Sequence, residues 1–218
     1  MIKAVILDMD GTMIDTEVQS SLDWPAVGEK FGFEVDQKFI QTFLGLTGKV
    51  KTERLTAILP ASIDAKEVML YYHNLVKARF KRDGIYVKPG LTELLTYCKS
   101  RKLKLAVASA SSYDRIIDIL TSIDVLSFFD VIVAGDMITH QKPDPEIYAV
   151  TTRKLGFQRD ECIVIEDSRV GIASASAAQT LAVLVPDVEE PDEIMLSQCT
   201  YCVATLQDVI GIIEALLA

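Results

Sequence analysis

Short, continuous apolar runs rich in β-branched residues recur along the chain, at residues 2–7, 103–108, 131–134, 163–165 and 181–185. None alternates with polar positions, which is the pattern of strands covered on both faces. Helical patterns separate them. Residues 91–101 follow Pro89-Gly90, residues 113–122 follow a serine pair, and residues 145–155 stop at Gly156. Those prolines and glycines suit helix starts and stops. Strand–helix alternation of this kind predicts an α/β fold with a doubly wound parallel sheet.

One stretch breaks the rhythm. Residues 15–83 hold no buried-strand pattern, only helical ones at 24–31, 49–59 and 65–82, punctuated by Gly32, Gly45, Gly48 and Pro60. This predicts a small helical cap domain inserted after the first strand, with residues 1–14 and 84–218 forming the core. Such an insert could act as a lid over one end of that core. The small-residue run 171–178 reads as a helix packed closely on the sheet.

Composition narrows the function. The 218 residues carry a formal net charge of −9, so a cationic face for a polyanion is not expected and nucleic acid is excluded as a partner. No stretch of about 18 uncharged apolar residues suggests a membrane span, and residues 1–8 lack the features of a signal peptide. A cytoplasmic monomer is expected. Cys199 and Cys202 form a C-x-x-C, but no second pair stands at zinc-site spacing, so Cys98, Cys162, Cys199 and Cys202 are expected to be ordinary buried thiols. His73 and His140 receive no role.

The chemistry collects where the predicted strands end, since ligands of open α/β sheets bind outside the carboxyl ends of the strands. The first strand runs into Asp8-Met9-Asp10-Gly11-Thr12 and the second into Ser109-Ala110-Ser111. The third is followed by Gly135-Asp136 and, a little later, Lys142-Pro143; the fourth runs into Glu166-Asp167-Ser168. Crowded carboxylates repel one another unless a cation neutralises them, and a hard divalent ion with oxygen ligands, Mg2+, does so. An ionised Asp8 can attack phosphorus, and Asp10, two residues on, can protonate the leaving group and then deprotonate a water. Gly11 allows the tight turn between them. Lys142, the Ser109 hydroxyl and nearby backbone N–H groups would hold the phosphoryl oxygens. Taken singly these features have plain readings: a capped turn at Asp8-Asp10, a helix-capping Ser109, a solvated Lys142, helix-start acids at Glu166-Asp167. A calcium loop is disfavoured because position 19 is Gln.

Together, Asp8-Met9-Asp10-Gly11-Thr12, Ser109, Lys142-Pro143 and Glu166-Asp167 resemble the four motifs of the haloacid dehalogenase superfamily, in its β-phosphoglucomutase-like phosphatase branch with a helical cap. The resemblance implies a Rossmann-like core, a nucleophilic Asp8 and an acid/base Asp10. It implies Mg2+ held by Asp8, the Asp10 carbonyl oxygen and Asp167 with Glu166 at or beside it, and phosphate held by Ser109, the Ala110 N–H and Lys142. The expected activity is hydrolysis of a small phosphorylated metabolite through an aspartyl-phosphate. The second aspartate argues against dehalogenase and phosphonatase chemistry. Phosphomutases of this branch resemble one another in having a histidine soon after the first motif and an arginine in the cap; here residues 13–72 contain no histidine, Ser20 and Ser21 stand where it is expected, and the arginine neighbourhood reads Leu46-Thr47-Gly48-Lys49. A phosphomutase and a non-catalytic phosphoryl-binding protein stay open as alternatives. Lys49, Lys77 and Arg79 are candidate cap contacts.

Overall fold

The computed structural model describes every residue except Gly45 and Thr47, and all side chains but those two and Lys49. The Gly45 breaker, Thr47 and the candidate contact Lys49 therefore lie outside the described residues. Six parallel strands, β1 (Ala4–Leu7), β2 (Lys104–Ser109), β3 (Val131–Ala134), β4 (Cys162–Glu166), β5 (Leu181–Leu184) and β6 (Tyr201–Cys202), form one sheet in the order β3-β2-β1-β4-β5-β6. The doubly wound parallel sheet read from the apolar runs is borne out. The helices are α1 (Thr16–Ser21), α2 (Trp24–Phe31), α3 (Gln37–Phe43), α4 (Gly48–Ile58), α5 (Ala65–Asp83), α6 (Leu91–Ser100), α7 (Tyr113–Ser122), α8 (Glu146–Leu155), α9 (Arg169–Ala177), α10 (Glu193–Gln198) and α11 (Leu206–Leu217).

The chain divides into two compact units, Met1–Asp15 with Val87–Ala218, and Thr16–Tyr86. In the first, Ala4 and Ile6 of β1 join Ala106, Ala108, Val164 and Leu184 in a cluster with Ile147 and Tyr148 of α8 and Ile172 and Ala175 of α9. Val5 and Leu7 are fully buried as well, on the opposite side of the pleat, where α6 and α11 pack together. Burial on both faces is why these strands lack alternation, and each fully buried large aliphatic side chain contributes about 1.5–3 kcal/mol. The register matters most for the site. Leu7 pairs with Val107 on one side and Ile165 on the other, so Asp8, Ser109 and Glu166 emerge at one carboxyl-terminal edge. β1 lies between β2 and β4, where the strand order reverses, and a crevice opens at such a point.

The second unit is helical and has its own core. Trp24 stacks on Tyr72 with ring centroids 4.2 Å apart and meets Phe39 at 5.3 Å and Phe43 at 5.1 Å. Arg79 forks onto the buried Asp23 at 2.7–3.0 Å, so this candidate contact is already engaged within its own unit; Lys77 is exposed. Lys51, which the sequence reading did not single out, is buried and pairs with Glu17 at 3.2 Å.

The cysteine expectation needs one correction. Cys98 and Cys162 are buried free thiols, but Cys199 is half-buried and Cys202 exposed. β6 is a two-residue strand at the sheet edge, paired on the β5 side alone, so it lacks the second neighbour that covers interior strands.

Candidate active site

The loop after β1 is shaped by a left-handed glycine. Gly11 has φ 89°, and a Cβ there would run into the Asp167 carboxylate, so any other residue would separate this loop from the one after β4. Thr12 Oγ1 donates to Asp167 Oδ1 at 2.9 Å, tying the same two loops together. As a result, carboxylate oxygens of Asp8, Glu166 and Asp167 lie within 4.8 Å of one another, although Asp8 is about 160 positions from the adjacent Glu166 and Asp167 in sequence.

Lys142 enters this cluster from the loop before α8. Its Nζ donates to Asp8 Oδ1 at 2.5 Å, to Glu166 Oε1 at 2.6 Å and to the Ala108 carbonyl at 3.3 Å, and it lies 5.0 Å from the Tyr148 ring centroid. Tyr148 donates its hydroxyl to the same Glu166 oxygen at 2.6 Å, while Glu166 Oε2 accepts from the Asp167 and Ser168 amides and the Ser168 hydroxyl. Glu166 is thus fully buried and engaged through both oxygens. Its backing is tight as well, because a Cβ on Gly171 of α9 would fall onto the Glu166 carboxylate.

Burial sets the electrostatics and the neighbours divide its effect. Burial pushes the Asp8 carboxyl up to about 7, against the opposing charge of Lys142. Burial, then the charges of Glu166 and Asp8, hold Asp167 well above the ordinary carboxyl range. Glu166 ends below its ordinary value: burial would raise it, but Lys142 and the donors around it prevail. Lys142 is disfavoured by burial and yet held strongly protonated by Asp8 and Glu166. One ammonium therefore serves two carboxylates and leaves Asp167 without a compensating charge of its own in the cluster. An all-oxygen donor set with excess negative charge fits a hard divalent cation such as Mg2+.

Ser109, buried at the end of β2, accepts the Ser111 amide on its Oγ at 3.1 Å. Ala110 is exposed beside it, and Asp136 after β3 accepts from the Tyr113 amide. Asp10 is not one of the three converging carboxylates; its side chain lies in the fork of Arg115, close enough to Asp8 for its charge to help raise that carboxyl. Two participants had escaped the sequence reading. Arg115 stands in the first turn of α7, four residues after a Ser111 that precedes the helix, and Tyr148 sits among core positions of α8, where an aromatic residue reads as packing. His140, exposed, pairs with Glu146 at 2.9 Å, and His73 is exposed.

A sequence profile of the haloacid dehalogenase-like hydrolases matches residues 5–185. The chain belongs to this family. It is 30% identical over 179 residues to the phosphorylated carbohydrates phosphatase of Thermotoga maritima, spanning 81% of each protein. Similarity to the fructose-1-phosphate phosphatase YqaB of Escherichia coli is 29% over 180 residues, 80% of this chain and 91% of that one. A solved Thermotoga maritima structure bearing a β-phosphoglucomutase designation superposes with a TM-score of 0.86 at 25% identity, over 98% of this chain and 99% of its own. The resemblance drawn from the four motifs is borne out, and the protein is a phosphohydrolase. No helix among the described residues is long and apolar enough to cross a membrane.

Proposed function

We propose that this protein is a magnesium-dependent phosphatase that hydrolyses small phosphorylated carbohydrates through an aspartyl-phosphate on Asp8. The observation that carries the reading is the convergence of Asp8, Glu166 and Asp167 within 4.8 Å, with Lys142 at 2.5 Å from Asp8. The names of the phosphatase relatives support the carbohydrate class. Asp8, the Asp10 carbonyl oxygen and Asp167 would hold Mg2+, with Glu166 at or beside it. Bound there, the ion supplies positive charge that offsets repulsion between a phosphate dianion and the attacking carboxylate.

The chain's own groups do the rest. Asp8 attacks phosphorus; the bond to the leaving oxygen breaks, and that oxygen takes a proton from Asp10. A water then attacks the acyl-phosphate and gives its proton to Asp10, and Asp8 departs as a carboxylate. Lys142, the Ser109 hydroxyl and the Ala110 N–H hold the equatorial oxygens, where charge is spread in the transition state. Because Lys142 contacts Asp8 as well, it also aims the nucleophile.

A panel of sugar phosphates, assayed for phosphate release with Mg2+ and with a chelator, tests the reading. Turnover that survives both the chelator and Asp8→Asn would sink it. Phosphate binding without turnover across several divalent ions would instead indicate a non-catalytic binder. The β-phosphoglucomutase relative keeps a phosphomutase as the second reading, against which stands the lack of histidine in residues 13–72. Glucose 6-phosphate formed from β-glucose 1-phosphate faster than free phosphate would favour it.

A further inference from the structure

The Asp10 carboxylate is held by two groups of the α7 segment that the reaction described above does not use. Arg115 Nη1 donates to Oδ2 at 2.7 Å and Nη2 to Oδ1 at 2.8 Å, a parallel fork onto both oxygens. Ser111 Oγ donates to the same Oδ2 at 2.9 Å and itself accepts from Arg115 Nη1. Arg115 stands in the first turn of α7 (Tyr113–Ser122), which packs on β3, while Ser111 lies just before the Ser112 cap. The helix backbone fixes Arg115, and Ser111 is held by its amide donating to Ser109 Oγ and its carbonyl accepting from the Gly135 amide. A bidentate guanidinium–carboxylate pair sets direction as well as distance, which a single point charge does not. Arg115 is partly exposed, with 39% of its side chain open to solvent, so the pair is not a core element that stabilises the fold.

We propose that Arg115, seconded by Ser111, is a positioning residue that aims the Asp10 carboxylate at the water that hydrolyses the aspartyl-phosphate. The inference rests on the reading of Asp10 as the acid/base. In the geometry described, Arg115 and Ser111 place donors on both Asp10 oxygens, and a carboxylate held by donors is presented as an acceptor, the role of the group that receives a proton. That form belongs to the second half of the reaction: the water oxygen bonds to phosphorus, its proton passes to Asp10, and the phosphorus–Asp8 bond breaks. Loss of the fork leaves Asp10 in place but lets its carboxylate swing, so the covalent intermediate forms and then waits.

p-Nitrophenyl phosphate separates the two halves, because its leaving group departs as a stable anion and needs little help from an acid. In Arg115→Ala, kcat for this substrate falls about 10- to 100-fold, the part of a general-base contribution that positioning supplies. Its kcat/KM, which reports only formation of the intermediate, falls less than about threefold. Rapid mixing gives a burst of nitrophenolate equal to the enzyme present, followed by slow release of phosphate. Arg115→Lys, which keeps the charge but not the fork, recovers part of kcat.

A parallel fall in kcat and kcat/KM, no fall at all, or a faster variant would each overturn the proposal. Should Arg115→Ala melt far below the parent, Ser111→Ala and Arg115→Lys carry the same test through a smaller perturbation. Asp10→Asn tells the two levels apart. If it hydrolyses the intermediate as fast as the parent, the reading of Asp10 itself fails. If it stalls while Arg115→Ala does not, Asp10 stands and the role of Arg115 falls alone. Arg115→Ala placed on Asp10→Asn should add nothing further to the loss in kcat, as expected of residues acting through one group.

Discussion

Replacing Gly171 by alanine sets two effects of opposite sign against each other. Gly171 lies inside α9, where alanine is the better helix former by about 1 kcal/mol. Helix propensity alone therefore makes the variant more stable. The added methyl, however, falls onto the Glu166 carboxylate, and nothing about that carboxylate is free to move. It receives Lys142 and the Tyr148 hydroxyl on Oε1, and two backbone amides and the Ser168 hydroxyl on Oε2. Overpacking of this kind costs about 1–3 kcal/mol, and losing one hydrogen bond to a charged group costs about 1.5–3 more. Set against the propensity gain, the net is a destabilisation of about 3 kcal/mol, or roughly 6–12 °C in melting temperature for a chain of this size. Gly211 in α11 supplies the control, because a Cβ there meets nothing within 4 Å. Gly211→Ala should gain about 1 kcal/mol from propensity alone. Circular dichroism melts of both variants at neutral pH measure the difference. If Gly171→Ala melts at or above the parent temperature, the close approach of α9 to Glu166 is not a constraint, and the reasoning about that carboxylate fails.

Three further outcomes follow from the same geometry. Tyr148→Phe removes one donor from the buried Glu166 and should destabilise the fold by about 1.5–3 kcal/mol, read from denaturant titration, with phosphate release slowed as Lys142 loses a fixed partner. Asp130 is raised by burial but held below its model-peptide value of 3.8 by the Leu105 amide, Lys104 and Lys99, so its folded form binds protons less readily than its unfolded form; its stabilisation is present above that value and fades as pH falls. Asp130→Asn should therefore lower the melting temperature at pH 7, with a deficit that shrinks in acid. Among the thiols, exposed Cys202 should react first with an aromatic disulfide reagent, whereas Cys98 and Cys162, pushed up to about 12 by burial, should react only on unfolding.

The sheet was legible because its strands are buried on both faces, which writes them as unbroken apolar runs; the run at 131–134 matches β3 residue for residue, and the others differ by one or two positions. Helices with a capping residue and about three turns or more, such as α7 and α5, were also legible. The short α1, α3 and α10 were not, since six or seven residues hardly express a 3.6-residue period. α11 was missed for another reason: its segment from Val209 to Leu217 is so apolar that little polar face marks its period. At the site, strand ends could be read because a parallel sheet delivers them to one edge. Side-chain partners could not. Arg115 announces itself only by standing four residues from Ser111, and the Tyr148 hydroxyl reaches Glu166 from a ring that otherwise packs in the core.

Charge counting joins the fold to the proposed chemistry. Three carboxylates, Asp8, Glu166 and Asp167, surround one ammonium, Lys142, in a volume where their oxygens lie within 4.8 Å of one another. At an effective dielectric constant near 20, two unit charges about 4 Å apart interact by roughly 4 kcal/mol, so one unneutralised carboxylate is already a large fraction of a domain's stability. The raised Asp8 and Asp167 carboxyls express that excess as a tendency to bind protons. A phosphate dianion entering the same space would add two more negative charges. On its own side chains, then, the site can ionise its nucleophile or admit its substrate, but each opposes the other. Lys142 cannot resolve the conflict alone, because it is already committed to Asp8 and Glu166. A divalent cation held by these carboxylates would let both happen at once, which is why the proposed metal dependence follows from this arrangement of residues as well as from the family.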